Sequence, residues 1–553
     1  MQRAVGAMSP REEPLGSGSQ TNNPVSAQLP LIEALQDPSL YDHAVTSLQL
    51  IETHISWVIL TGQYVYKLKK AVDFGFLDYS TLEKRAFFCR EELRLNQRFA
   101  PHIYLDVIAI SGSRSQPVLQ GDGEPVEYAV RMKQFSQAGL LSALAAGHKL
   151  GRAHINELAS LVPDMHERVA VADASSGYGL PDDIRYWVME NFEHIRPSLE
   201  QSQQRQQLDA VEQWCSQTYE RLQPLLTGRR RDGFVRECHG DLHLGNLAVI
   251  DGRITAFDGI EFNEQLRWID VMSELAFLVM DVRDRGYPQY AWYLLNRYLQ
   301  HTGDYAGLAV LRYYLVYRAL VRAKVAVLRL PQVCSTLDRQ DAWYEYASYM
   351  RLADDDVHAS PPCLIITHGV SGSGKSYYAS RLAEQLGAIQ IRSDVERKRL
   401  FGYSAGAATH SAVAEGIYSA DASIQTYDHL AVLARSVIEA GYTVIVDATF
   451  LEFAQREPFR ELAADISVPF LMLHCHADRD TLQARIHARQ AEGGDPSEAG
   501  LAVLEAQLAA YHLLQPEELD SVIDVDAGGD GSDATIADLV SAIQARLVPV
   551  PAT

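Results

Sequence analysis

GVSGSGKS, from Gly369 to Ser376, has the full G-x-x-x-x-G-K-[ST] form of a phosphate-binding loop. The apolar run CLIITH (363–368) before it suits a buried parallel strand. After it, Ala379, Leu382, Ala383 and Leu386 recur at helical spacing before Gly387. The loop therefore joins a strand to a helix. Gly369, Gly372, Ser373 and Gly374 let backbone N–H groups wrap an anion at the positive end of that helix. Lys375 is expected to reach the β- and γ-phosphates of ATP, and Ser376 to ligate Mg²⁺. Because such a loop opens its fold from the first strand, the residues before about 360 must build something else.

The totals bound that something. At 553 residues the chain has length for two large domains or more. No apolar run approaches a membrane span and no leader is visible at the N-terminus, so the sequence predicts a cytoplasmic protein without a membrane partner. Six scattered cysteines, without C-x-x-C spacing, predict reduced and mostly buried thiols. A net charge of −22 argues against general affinity for nucleic acid, whose backbone is bound by clustered Lys and Arg. His474 and His476 flank Cys475 at the end of an apolar run, where strand alternation puts both on one face.

Residues 1–27 are rich in Pro, Gly, Ser and Asn without periodicity, and are expected to form a disordered tail. From His54, HISWVIL and QYVYKLKK flank Thr61-Gly62 in the pattern of a β-hairpin. Lys67 lies on the second strand among apolar neighbours. A helix over about 82–99 places Phe88, Glu92, Leu95 and Phe99 on one stripe, so Glu92 is an acid on an inward face. A buried carboxylate wants a partner, and Lys67 is the candidate, with Lys69, Lys70 and Glu91 as adjacent alternatives. A Lys on a strand paired with a Glu on the next helix is how kinase-type folds fix the lysine that holds the α- and β-phosphates. YLDVIAI and EYAVRMKQF then complete a small sheet, with a hinge expected at 132–135 before a mostly helical region.

ECHGDLHLGNLAVIDGRITAFDGIEF (237–262) carries the second constellation. His239, Gly240, Asp241 and Asn246 form H-G-D-x-x-x-x-N, and Asp258 follows in an F-D-G turn. Asp241 to Asn246 is the spacing by which a kinase catalytic loop offers a carboxylate base and an amide metal ligand. Asp258 is then placed to hold Mg²⁺, a hard cation that prefers oxygen donors. His239 and His243 fit loop-supporting hydrogen bonds better than metal ligation.

Residues 45–350 or so resemble the aminoglycoside phosphotransferase family, a branch of the protein-kinase-like fold that includes choline kinases; HGDLHLGN resembles its catalytic-loop signature. The resemblance implies Asp241 as base, Asn246 and Asp258 as metal ligands, and Lys67 with Glu92 as phosphate clamp. The chain lacks a G-x-G-x-x-G loop and has Asp258-Gly259-Ile260 in place of D-F-G, which leaves open whether the first hairpin covers the phosphates.

RLADDDVHASPP (351–362) reads as an acidic linker ending in Pro-Pro. Beyond it, AIQIR leads to Asp394 and the basic helix VERKRLFG, and GYTVIV leads to Asp447. Both aspartates end predicted parallel strands, on the side where open α/β sheets bind ligands. Asp447 suits Mg²⁺ and Asp394 an acceptor-side base. Arg485 and Arg489, four apart, share a helix face before the glycine-rich AEGGDPS. This half resembles the P-loop kinases grouped near gluconate kinase, zeta toxins and phage polynucleotide kinase, in which such arginines sit on a lid. The order of the two halves resembles bacterial proteins labelled bifunctional aminoglycoside phosphotransferase and ATP-binding protein.

The sequence thus predicts an α+β kinase-like domain over 28–350, a linker over 351–361, and an α/β P-loop domain with a parallel sheet over 362–550. The expected chemistry is ATP-dependent, Mg²⁺-assisted transfer to hydroxyl groups of small molecules, with no protein partner evident. Two other readings remain: a non-catalytic N-terminal sensor regulating the P-loop half, and a polynucleotide 5′-hydroxyl kinase in that half.

Overall fold

The computed structural model describes residues 24–75, 77–332, 335–404, 407, 416–492, 497, 499–509, 511–529 and 532–547. Most of the expected tail, residues 1–23, and part of the AEGGDPS segment lie outside these. Two compact units are present, one of residues Met1–Gly286 with Leu311–His358, the other of Tyr287–Val310 with Ala359–Thr553.

The first unit opens on an antiparallel sheet of β1 (Gln49–Glu52), β2 (Ser56–Leu60), β3 (Tyr64–Lys69), β4 (Tyr104–Ser113), β5 (Gln116–Leu119) and β6 (Glu127–Lys133), in the order β1-β2-β3-β6-β4-β5. Helix α1 (Leu82–Gln97) lies across it, started by the Thr81 hydroxyl, which accepts from Lys84 N. The run SWVIL is buried on both faces, which explains why it reads as continuous rather than alternating apolar sequence. Val58 and Leu60 pack towards Cys89 and Phe257, while Trp57 and Ile59 pack against Leu31, Ile32 and Leu35 from the N-terminal segment. That segment is ordered from before residue 27: Ser26–Gln28 form a helical turn, and buried Gln28 donates to Lys69 O at 3.0 Å and Glu127 at 2.9 Å. The expected tail is therefore shorter than 27 residues, because Gln28 and Leu31 complete the core beneath β3.

Downstream lie α2 (Pro181–Ile195), β7 (Val235–Glu237), the hairpin β8 (Leu247–Ile250) and β9 (Arg253–Ala256), β10 (Trp268–Asp270) paired with β7, and α3 (Val271–Asp284). The chain then contributes α4 (Pro288–Thr302) to the second unit and returns to the first with α5 (Leu308–Leu328) and α6 (Thr336–Val357). Residues 351–357, expected in a linker, are the end of α6; buried Asp356 pairs with Arg283 at 2.9 Å, so acidic sequence here marks an ion pair.

The second unit is a parallel sheet of β11 (Leu364–His368), β12 (Ile389–Arg392), β13 (Val444–Asp447), β14 (Phe470–His476) and β15 (Val522–Asp526), ordered β12-β13-β11-β14-β15. Helices α7 (Lys375–Leu386), α8 (Ser393–Leu400) and α9 (Arg479–Glu492) follow β11, β12 and β14. Helix α4 belongs here because its side chains finish the edge: Asn296 Nδ2 donates to Ala388 O at 2.9 Å, Gln390 N donates to Asn296 Oδ1 at 2.7 Å, and Trp292 packs at Gly387. The sequence-based boundaries run 287–310 within the first domain, since nothing local marks a helix whose partners come 90 residues later. The described cysteines, Cys89, Cys215, Cys238, Cys363 and Cys475, are free and buried. No helix among the described residues is long and apolar enough to cross a membrane.

Candidate active sites

In the first unit, Lys67 and Lys69 alternate along β3 and so emerge on one face. Lys67 Nζ donates to Glu92 Oε1 at 2.8 Å and to Asp258 Oδ1 at 2.6 Å. Lys69 donates to the other oxygen of Glu92 and to Glu261, whose carboxylate also accepts from Tyr79 OH at 2.6 Å. Burial works to neutralise Lys67, but Asp258 and Glu92 outweigh it and keep the ammonium well above its usual range. Burial likewise pushes Glu92 up, and Lys67 with Lys69 brings it below the ordinary value. Of the adjacent alternatives, Lys69 shares Glu92 with Lys67, while Lys70 pairs with Glu52 and Glu91 with Arg94.

Asp258 follows β9 with φ of 63°, a left-handed conformation Asp tolerates better than most residues. Two contacts hold that turn, as Asp258 N donates to Tyr104 OH at 3.0 Å and Gly259 N to Asn96 Oδ1 at 2.8 Å. Asn96 and Glu92 lie one turn apart on α1, so the helix that holds the lysines also holds the turn.

The catalytic-type loop is braced from beneath. His239 N and Gly240 N donate to the buried Glu274 carboxylate at 3.1 and 2.7 Å, and Leu244 N donates to Asp281 at 2.8 Å. His239 Nε2 bonds to Phe257 O at 2.9 Å, and His243 Nδ1 accepts from Gly245 N, so both histidines support the loop. Asn246 Nδ2 donates to Asp241 Oδ2 at 2.9 Å, and His243 Nε2 lies 3.4 Å from the same oxygen. Burial raises the Asp241 pKa, but His243, Arg322 and His239 outweigh it and hold the carboxyl at about 2. Lys67, Asp241, Asn246 and Asp258 line one cleft, with Glu92 buried behind Lys67. Thr53, His54 and Ile55, the turn between β1 and β2, line it as well, a stretch the sequence did not mark as cleft wall. Lys69 was open only as an alternative to Lys67, and Glu261 and Glu274 were not singled out; Glu261 is three residues past Asp258, whereas no spacing marks Glu274.

In the second unit Gly369 and Gly372 have φ of 145° and 83°, and a Cβ on either would lie 2.3 Å from Cys475 O or 2.8 Å from Leu482 O. Lys375 Nζ donates to Val370 O at 2.7 Å, and burial lowers its pKa. Asp447, at the end of β13, accepts from Gln390 Nε2 at 3.0 Å; burial raises its pKa against the pull of Arg392 and Ser376. Gly372, Gly374, Lys375, Ser376, Asp394, Asp447, Arg485 and Arg489 line one cleft. Gly369 and Ser373 are buried within the loop itself. Arg485 donates to Gly372 O at 3.4 Å, so this side chain reaches the glycine-rich loop directly. The basic helix α8 is largely committed inward: Arg397 donates to Ile417 O at 2.8 Å, Arg399 bonds to Glu396 and to Gln300 O, and Lys398 is buried.

His474 and His476 share a face of β14, both bonding to Asp524, at 3.0 and 2.9 Å. His474 Nε2 lies 3.2 Å from Tyr511 OH, which lies 3.0 Å from His368 Nε2.

Both units are kinase-type folds, one with its lysine strand, partner helix and H-G-D loop, the other with a P-loop on the central strand of a parallel sheet. Over 472 residues the chain is 27% identical to an uncharacterized protein of Mycobacterium tuberculosis and to one of Mycobacterium bovis, covering 85% of this chain and 92% of each relative. Among solved structures, a choline/ethanolamine kinase family protein from Mesorhizobium loti is 11% identical, covering 59% of this chain and 96% of its own, with a TM-score of 0.37. A gluconokinase from Sinorhizobium meliloti is 22% identical, covering 33% and 97%, with a TM-score of 0.23. Residues 364–514 match the family model described as AAA domain, a span that holds the P-loop, Asp394 in the first turn of α8, Asp447 at the end of β13, and the arginine helix of the second unit.

Proposed function

We propose that the chain is a two-headed phosphotransferase in which each unit moves the γ-phosphoryl group of ATP to a hydroxyl of a small molecule. The observation that carries this reading is that each unit brings a buried lysine and two carboxylates to the wall of a single cleft. Little covalent chemistry is asked of a protein in phosphoryl transfer; positioning and charge do the work. In the first unit Lys67, held by Glu92, presents its ammonium to phosphate oxygens. Asp241 accepts a hydrogen bond from the acceptor hydroxyl and takes its proton as the new P–O bond forms; with a pKa of about 2 it is ionised throughout the neutral range. The apolar walls Ile55, Val58 and Phe257 suit a flat base.

Magnesium fits both clefts by donor chemistry. Asn246 donates its amide nitrogen to Asp241, which leaves its carbonyl oxygen to join the Asp258 carboxylate as hard donors; Ser376 and Asp447 offer the same pairing in the second unit. Bound there, the ion would neutralise phosphate charge. In the second unit Lys375 and the loop N–H groups hold the phosphates, Asp394 orients the acceptor, and Arg485 and Arg489 close over the transferred group.

Isothermal titration of Mg·ATP into the full chain is expected to give two sites, and Lys375→Ala to remove one. A single site lost on that substitution refutes nucleotide binding by the first unit. A screen of hydroxylated metabolites and oligonucleotides with γ-labelled ATP, using Lys375→Ala and Asp241→Asn chains, then assigns each acceptor to its unit.

A further inference from the structure

Behind the catalytic-type loop of the first unit, three side chains of metal-binding type meet. His166 lies in the last turn of the helix Arg152–Arg168, Cys238 directly follows β7, and Glu274 sits in the first turn of α3. They are 3%, 1% and 1% exposed. An imidazole nitrogen, the thiol sulfur and a carboxylate oxygen, one from each, all lie within 4.8 Å of one another. None of the three lines the Lys67 and Asp241 cleft.

Spacing and charge both suit a bound cation. His166 Nε2 stands 3.4 Å from Glu274 Oε1, well beyond the roughly 2.7–2.9 Å of a charge-assisted hydrogen bond. With metal bonds of about 2.1 Å, a nitrogen and an oxygen on two corners of a tetrahedron stand roughly 3.4 Å apart. Glu274 has oxygen lone pairs to give, since it accepts from His239 N at 3.1 Å and Gly240 N at 2.7 Å and an ionised carboxylate has about four such positions. Burial raises its pKa, but His166, His239 and the Gly240 N–H outweigh it and hold the carboxyl at about 2. Cys238 Sγ donates to Ile269 O at 3.6 Å, a weak bond that a metal ion replaces at little loss. Burial pushes that thiol well above its usual range, so it takes a cation alongside to draw off the proton. One thiolate and one carboxylate then balance a dication, with neutral imidazole as third donor, and the filled site brings no net charge into the core. Thiolate and imidazole together select zinc-like ions over Mg²⁺.

We propose that His166, Cys238 and Glu274 form a site for one divalent cation of the zinc class, held by imidazole nitrogen, thiolate sulfur and carboxylate oxygen. As the sulfur–metal bond forms, the S–H bond breaks and its proton passes to solvent; nothing is oxidised or reduced. The site is distinct from the Mg²⁺ positions of both clefts and does not depend on phosphoryl transfer. Filled, it ties the helix Arg152–Arg168 to the loop that carries Asp241, because Cys238 leads into that loop and Glu274 holds its backbone.

Full-length protein, stripped with EDTA under argon and titrated with Co²⁺, tests this by absorption spectroscopy. A sulfur-to-cobalt charge-transfer band in the near ultraviolet is expected to rise to saturation, and Zn²⁺ should bleach it while excess Mg²⁺ does not. The band marks sulfur, so Co²⁺ in the two Mg²⁺ clefts, where the donors are oxygens, adds nothing to it. Cys238→Ser should remove the band. His166→Gln should keep it but weaken Co²⁺ binding about tenfold or more, at least what the loss of an outer partner costs a metal site. A native chain that shows no such band, or a band that persists in Cys238→Ser, overturns the proposal; the first of these needs no variant to fold.

Discussion

Lys69→Met isolates the charge cluster behind the first cleft. In the native protein two ammonium groups, Lys67 and Lys69, face three carboxylates, Glu92, Asp258 and Glu261. Lys69 and Glu92 are both 0% exposed, so water cannot compensate for a lost partner. Methionine is close in length and apolar, which keeps the packing and removes only the charge. One oxygen of Glu92 then loses its donor, Glu261 keeps only Tyr79 OH on the oxygen that Lys69 held, and three carboxylates are left to a single ammonium. Removing one partner of a buried ion pair costs about 3–5 kcal/mol, and that is the expected loss of stability of the first unit at pH 8. The loss should shrink with acid. Lys67 and Lys69 hold the Glu92 pKa below its ordinary 4.5, so in the native protein its contribution is intact at pH 8 and at pH 5 alike. In the variant, protonating one orphaned carboxyl relieves the repulsion, which narrows the gap at pH 5. Urea unfolding followed by tryptophan fluorescence at pH 8 and pH 5 reads both numbers. Lys69→Met/Glu261→Gln should recover part of the loss, because each substitution removes the other's unpaired charge. A loss under about 1 kcal/mol at pH 8, or one equal at both pH values, would refute the view of Lys69 as a structural counter-ion.

Other outcomes follow from the same geometry. Asp241→Asn should abolish transfer by the first unit while changing its Mg·ATP affinity little, whereas Asp258→Asn should weaken Mg·ATP binding; isothermal titration beside a transfer assay separates these, and the reverse pattern exchanges the roles. His368 is held at about 4 chiefly by burial, so below its ordinary 6.5 the unfolded chain takes up a proton the folded one refuses. Stability of the second unit should therefore fall as pH drops from 6.5 to 4, by about 3 kcal/mol in total, and His368→Gln should flatten that slope in urea titrations. Single-stranded RNA and DNA should bind weakly in filter titrations, with a shallow salt dependence, because α8 spends its basic side chains internally; tight binding with a steep slope, weakened by Arg397→Ala, would restore the polynucleotide reading.

Where function needs a fixed local spacing, the sequence was readable. GVSGSGKS and HGDLHLGN each confine their chemistry to one loop, and the loops lie where strand and helix periodicity puts them. Lys67 and Glu92 were readable as a pair from periods of two and 3.6, but Lys69 has the same phase on β3 and could not be ranked against it. In the structure both lysines grip Glu92, one on each oxygen. Glu274 and Glu261 escaped notice because their partners are backbone N–H groups and a strand lysine far away in sequence. Strand β1 is short and ends at a turn that lines the cleft, and its residues carry neither strong alternation nor a Gly or Pro to mark them. The committed state of α8 was equally invisible, since Arg and Lys look alike in sequence whether they meet solvent or a buried carbonyl.

Helix α4 has a consequence for how the protein is made. Its Trp292, Asn296 and Gln300 meet Gly387, Ala388 and Gln390 of the second unit. The ribosome reaches that helix long before it has built the sheet that receives it. At about 5–20 residues per second, synthesis from residue 303 through the end of β13 takes roughly 7–30 s. During that interval the Trp292 ring and the amides of Asn296 and Gln300 wait without the strand edge that completes them. A gene truncated to begin at Ala359 inherits the complementary defect, an uncovered patch at Gly387 and Ala388 where Trp292 and Asn296 belong. Co-expression with residues 287–310 as a separate peptide should make such a fragment more soluble than it is alone.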